Sequence, residues 1–301
     1  MKKCRKKEFI ILEAKRFFSN FTIVMVILFL LLKIFASLYQ YRETEQDRYY
    51  LELVSKYEGI AEETKRQEIL EKYEYYRQIL AQFPEIQMDY ATGKLTKREF
   101  EVAKEEHTYA ETYFSAWERL NENTMRFDSS QNGDEMYYFY DITWEKLLDV
   151  GKLDILYLFL IQVVILPYFS LDRDSGLYPA ARCMVNYKKV EKYRIFYGIV
   201  FAMVCVLLFT FIEVVSAWFA NELPFLEYTA NSLSVYGGAR FSFSVMEMLL
   251  VKNLCRMIEE VVTIILLGVL TKVLNNKIIV MILIIGYMVV TNQWVLRFIM
   301  S

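Results

Sequence analysis

Four ionisable residues, Lys252, Arg256, Glu259 and Glu260, interrupt an otherwise apolar run from Phe243 to Leu270, which Glu247 also interrupts. Lys252, Arg256 and Glu260 recur at i, i+4 and i+8 on roughly one helical face, so Arg256 is within reach of Glu260. Charges of both signs at that spacing can pair, line a wet path or join two subunits. At membrane depth each costs several kcal/mol unless paired or hydrated. They therefore read either as a lining of a translocation path or dimer contact, or as a helix extension over 243–256 standing proud of the membrane. Covalent chemistry has no carriers elsewhere. There is no GxxxxGK[ST] phosphate loop, no HExxH and no GxSxG. The chain has one histidine, His107, and no Cys/His cluster with metal-ligand spacing. Its cysteines (Cys4, Cys183, Cys205, Cys255) imply no disulfide framework. No residue is assigned a catalytic, cofactor-binding or metal-binding role, and the chain is not read as an enzyme.

The elements that carry these charges are apolar helices. The chain is 55% hydrophobic with ten Gly and four Pro, a helix-rich membrane composition diluted by one polar insert. A bilayer core of ~30 Å needs ~20 apolar helical residues. Five segments qualify or nearly so: 17–38, 153–169 closed by Pro167, 195–218, 243–271 with a charged outer half, and 278–296. The first follows a long Lys-rich leader and reads as an uncleaved anchor rather than a signal peptide. Lys33 and Glu213, near the ends of their spans, read as snorkelling side chains. The expected fold is all-α, a polytopic helical membrane protein of about five spans.

Basic residues in short flanks set orientation. Residues 1–20, an amphipathic segment, hold seven Lys/Arg; residues 170–194 hold six; Lys272 and Lys277 follow the fourth span. All lie on one side if the spans alternate, so that side and the N-terminus are cytoplasmic. Between spans one and two, residues 41–152 hold 25 Asp/Glu against 15 Lys/Arg and belong outside. Residues 219–242 form a second, sparsely charged outside loop.

The insert, 39–152, is helical. Phe100, Ala103, His107, Ala110, Phe114, Trp117 and Asn121 recur at threes and fours, one stripe on a helix. Thr96-x-x-Glu99 ahead of it is a capping box. Ile69, Tyr73, Tyr76 and Leu80 make a similar stripe, and Pro84 and Ala91-Thr92-Gly93 separate the two, giving an antiparallel helical hairpin. His107 reads as a packing residue. Asp128–Glu135 reads as a loop, and the aromatic run Met136–Leu148 as a segment lying along the membrane interface.

The charged stretch Leu171-Asp172-Arg173-Asp174-Ser175-Gly176, running through Ala181-Arg182 to Asn186-Tyr187-Lys188-Lys189, is a basic elbow between two membrane-length segments. With the leader Phe9-Ile10-Ile11-Leu12-Glu13-Ala14-Lys15-Arg16-Phe17 and the basic turn Leu270–Lys277, it resembles the membrane subunit of type-2 ABC exporters. That family has an interfacial N-terminal helix, an acidic residue then Gly then a basic helix before span three, and usually six spans; five are read here, with Asp172 or Asp174 at the acidic position. The resemblance implies a permease of the plasma membrane, without cofactor, moving an amphipathic compound such as a peptide antibiotic, drug or lipid-like molecule. It also implies two partners, a separate ATP-binding subunit and a second permease copy or paralogue. Arg173, Gly176, Arg182, Lys188, Lys189 and Lys192 are then the ATPase-docking candidates. The competing class is a non-transporting sensor or immunity protein whose acidic insert binds a cationic peptide.

Overall fold

The computed structural model describes residues 11, 13–129, 135–149, 154–176, 187–221, 223, 227–236, 243–274 and 276–300, with side chains up to Thr291. In chain order the elements are α1 (Asn20–Gln40), α2 (Glu45–Val54), β1 (Gly59–Ile60), α3 (Glu63–Ala91), α4 (Lys97–Ser129), β2 (Tyr137–Tyr138), α5 (Ile142–Leu148), α6 (Ile155–Asp174), α7 (Tyr187–Asn221), α8 (Val245–Val273) and α9 (Lys277–Met300). Two compact units result. The first holds residues 1–41, 148–219 and 249–299; the second holds 42–147 and 220–248 with the last two residues.

The first unit is a helical bundle. Three of its helices are long and apolar enough to cross a membrane: Asn20–Gln40, Ile155–Asp174 and Tyr187–Ala220. Leu160, Ile161, Ile165, Ala202, Phe209, Ile264, Leu267 and Ile284 fill its core. Gly198 allows a close crossing, since a Cβ there would meet Ile264 at 3.0 Å and Phe169 at 3.4 Å. The outward faces are also apolar. Val24, Ile27, Leu31 and Phe35 on α1, Leu207 and Phe211 on α7, and Leu250, Leu254 and Ile258 on α8 are exposed. Apolar residues on both the inner and the outer faces are compatible with a membrane-associated bundle.

Several boundaries differ from those expected. Residues 13–17 are helical, but the first span starts at Asn20 rather than 17, because Ser19 interrupts the helix and caps the next one, its hydroxyl accepting from the Thr22 N–H at 3.3 Å. Pro167 does not close α6, which runs on to Asp174. Proline costs that helix one bond, to the Val163 carbonyl, and buried Ile165, Leu166 and Tyr168 hold the turn in place. The helix stops instead at Gly176, whose φ of +71° suits glycine. The elbow is correspondingly shorter than 170–194: residues 170–174 belong to α6 and 187–194 to α7. Arg182 lies outside the described residues. The segment expected as a fourth span is one unbroken helix, α8, despite its charges.

The second unit contains the expected hairpin. Chain reversal between α3 and α4 occurs at Thr92–Lys94, with Gly93 at φ +77°. Pro84 sits within α3 rather than between the helices, beside Phe83, which stacks on His107 at 3.8 Å and packs near Phe100. His107 is thus a packing residue. The capping box forms: the Glu99 carboxylate accepts from the Thr96 N–H at 2.8 Å and hydroxyl at 2.7 Å. Those bonds hold the Glu99 carboxyl below its usual range. Asp128 and Ser129 are the end of α4, not loop; residues 130–134 lie outside the described set.

Met136, Tyr138 and Tyr140 do not lie along an interface. They are buried in the unit's own core with Tyr50, Leu53, Ile69, Trp117, Leu120 and Phe127. β2 pairs antiparallel with β1, Gly59 opposite Tyr138, which turns those aromatic rings inward. Arg119 fastens the same region, reaching Asp141 at 3.0 Å and Glu145 at 2.6 Å beside the Tyr50 ring. Residues 227–236 are part of this unit and not a separate loop. The Arg126 guanidinium donates to the Ser232 carbonyl at 2.6 Å, the Tyr137 N–H to the Ser232 hydroxyl at 3.0 Å, and the Ser234 N–H to Glu145 at 2.7 Å.

Candidate functional site

The ionisable residues of the first unit gather in two layers, one at each end of the bundle. The elbow layer is built where α6 ends and α7 begins. Arg194, on the second turn of α7, makes a bidentate pair with Asp172 near the end of α6, at 2.8 and 3.0 Å. The same guanidinium reaches buried Glu13 at 3.2 Å, and Glu13 also accepts from the Tyr168 hydroxyl at 3.2 Å. Planar Arg matches carboxylate geometry, which makes such pairs the stronger kind. Arg173 donates to the carbonyls of Lys272 at 2.9 Å and Leu274 at 2.7 Å, satisfying acceptors that the end of α8 leaves open. Lys272 pairs with Glu191 at 2.8 Å, and Lys277, the first residue of α9, with Asp174 at 2.5 Å. Side chains therefore join the N-terminal segment, α6, α7, α8 and α9 at one end.

These contacts bear on the expected docking residues. Arg173 is engaged in holding α8 and Gly176 ends α6. Lys188, Lys189 and Lys192 are exposed on the first two turns of α7. The structure keeps those three together and leaves Arg173 out of the exposed set.

The distal layer lies at the other end. The Lys33 ammonium on α1 pairs with Glu213 of α7 at 2.5 Å and with Asp154, which caps α6, at 2.6 Å. Arg256 of α8 reaches the other oxygen of Glu213 at 3.7 Å. Lys33, Glu213 and Lys252 are buried. Lys33 and Glu213 do not snorkel: each is buried and pairs with an opposite charge inside the bundle. The expected Arg256–Glu260 pair is replaced by Arg256–Glu213, because the carboxylate of α7 faces Arg256 across the helix contact. Glu259 accepts from the Thr291 hydroxyl of α9 at 2.5 Å. Glu260 is buried, and its Oε2 has no hydrogen-bond partner among the described residues. The amide of buried Gln162 on α6 is in the same condition. Lys252 and Glu260 point into the bundle, so they neither stand proud of it nor offer themselves to a second copy.

The spacing between layers is informative. Asp154 and Asp172 are 18 positions apart on α6, and Arg194 and Glu213 are 19 apart on α7, about 27 and 28 Å at 1.5 Å per residue. A hydrocarbon core is about 30 Å thick. The two layers are thus about that far apart, with mostly apolar side chains and the polar Gln162, Glu259 and Glu260 between them. Helix α8 obeys the same spacing, with Arg256 in one layer and its last carbonyls in the other.

No protein-family model, curated protein or solved structure matches this chain. What the site can do follows from its residues alone. It holds paired charges at two depths and offers unsatisfied polar atoms, Glu260 Oε2 and the Gln162 amide, between them.

Proposed function

We propose that the chain is the permease subunit of an ATP-driven exporter of the type-2 ABC class, lying in the plasma membrane with its N-terminus cytoplasmic. The proposal counts five spans, α1, α6, α7, α8 and α9. Helix α8 fails a purely apolar criterion because of its charges: Lys252 and Arg256 sit in the distal layer, Glu259 and Glu260 lie about one turn further in, and Val261 to Leu270 beyond them is apolar apart from Thr263. Helix α9 has 24 residues, about 36 Å at the helical rise.

The observation that carries the reading is the elbow layer. A permease without a nucleotide site of its own must be moved by contact. Lys188, Lys189 and Lys192 present an exposed cationic face within two turns of Arg194, and Arg194 is bonded to α6 and to the N-terminal segment. A push on that face tilts several helices together, the kind of rigid-element motion that switches a path between two openings. The distal layer is the counterpart, a set of exchangeable ion pairs that closes the opposite end in one state. The buried polar atoms of Gln162 and Glu260 fit a path for a compound with both apolar and polar parts.

The test is co-purification. The tagged chain is extracted from its native membrane in mild detergent, and bound proteins are identified by mass spectrometry. An ATPase subunit accompanies the chain and is lost when Lys188, Lys189 and Lys192 are all changed to Glu, with melting temperature unchanged. An intact complex without ATPase contradicts the reading and favours a sensor or immunity protein.

A further inference from the structure

Among the described residues of the first unit, three acids are buried, Glu13, Glu213 and Glu260. Glu13 and Glu213 are paired with Arg or Lys. Glu260 has no such partner, and its Oε2 accepts no hydrogen bond. It lies four positions past Arg256 on α8, about 6 Å further into the bundle at the helical rise. The cations around it are committed elsewhere. Arg256 reaches Glu213, Lys33 of α1 is held by Asp154 and Glu213, and Lys252 is drawn to Glu213 and Asp149. The remaining groups that face Glu260 are Tyr157 of α6, Cys205 of α7, Glu259 on its own helix and Tyr287 of α9. None of them is a cation. An unpaired carboxylate away from water is expensive, and a proton removes that cost.

Hydrogen-bond direction points the same way. The Tyr157 hydroxyl donates to the Ala202 carbonyl of α7 at 3.0 Å. A carbonyl only accepts, so the single hydrogen of that hydroxyl is used there. Tyr157 can offer Glu260 only its oxygen lone pairs. An ionised carboxylate has no hydrogen to give them, whereas a carboxylic acid has one O–H donor.

We propose that Glu260 is a proton-binding site inside the bundle, taking one proton from water and donating it in a hydrogen bond to the Tyr157 hydroxyl oxygen. The proton adds to one carboxylate oxygen, no other bond breaks, and the side chain becomes neutral. A chain of donors then runs from Glu260 through Tyr157 to the Ala202 carbonyl, tying α8 to α6 and α7. Release of the proton returns an unpaired charge to the contact between those helices, so proton occupancy and helix packing are linked at this point. A proton needs a free lone pair and no cavity. The inference uses the folded bundle alone and neither the ATPase contact nor transport, so either can fail without the other.

The experiment uses the full chain in neutral detergent and records infrared difference spectra between neutral and alkaline pH. A carboxylic-acid carbonyl band is present at neutral pH, shifts in deuterated buffer and disappears at alkaline pH. Glu260→Gln removes that band and melts at the wild-type temperature at neutral pH, because the amide mimics the neutral acid. Glu259→Gln, one position away and bonded to Thr291, keeps the band. Tyr157→Phe keeps the band but moves its frequency, because the acid loses its acceptor. A wild-type chain with no acid band at neutral pH overturns the proposal. So does a band that survives Glu260→Gln, or one lost in Glu259→Gln. Should Glu260→Gln fail to fold, the Tyr157→Phe spectrum decides: an unmoved band overturns the assigned hydrogen bond and the proposal with it.

Discussion

Lys33 occupies a position where a charge is expensive, buried 13 residues into an apolar helix, and it is held there by two carboxylates from other helices. Removing one member of such a set is costlier than the set is worth, because the partners stay behind uncompensated. Lys33→Ala is expected to destabilise the bundle by about 3–5 kcal/mol, read as an earlier thermal melt of the full chain in detergent; an unchanged melt means that water already solvates Asp154 and Glu213. The residue types were legible in the sequence, since ionisable groups in apolar runs stand out. Their partners were not. Lys33 and Glu213 are 180 positions apart, and no local pattern records that distance. Arg256 shows the same limit: periodicity offered Glu260 on its own helix, while the carboxylate it reaches belongs to α7.

At the level of elements, the hairpin of α3 and α4 was readable because its signals are local. A stripe at helical spacing, a Thr-x-x-Glu box and a Gly turn each specify structure within a few residues. Gly93 is the sharpest of these. Nothing crowds its missing Cβ, so the cost of Gly93→Ala is conformational alone. At φ +77° that cost is about 1 kcal/mol, measured as a lower midpoint in denaturant; a neutral result means that the turn relaxes. Proline misled in both places where it was used as a stop. Pro84 and Pro167 each cost a helix one hydrogen bond, and packing on neighbouring turns outweighs it. The aromatic run at 136–148 was misread for a related reason. Tyr and Trp suit a membrane interface and a protein core alike, and the pairing of β2 with β1, a contact across 79 positions, decides between them.

Across the whole molecule, the apolar runs were visible in composition, and three of the helices that they form are long and apolar enough to cross a membrane. The coincidence of two charged layers with the thickness of a hydrocarbon slab was not, because it depends on which residues of different helices meet. The elbow is the layer where five segments are tied together, and its exposed lysines are the surface on which the proposed ATPase contact is placed. The most direct test is a photo-crosslinking amino acid placed at position 189 in the full chain, in native membranes, with Trp218 as the control position. The account predicts an adduct at 189 with an ATP-binding subunit and none at 218. Adducts at 189 with lipid alone, or with the same proteins at both positions, contradict it.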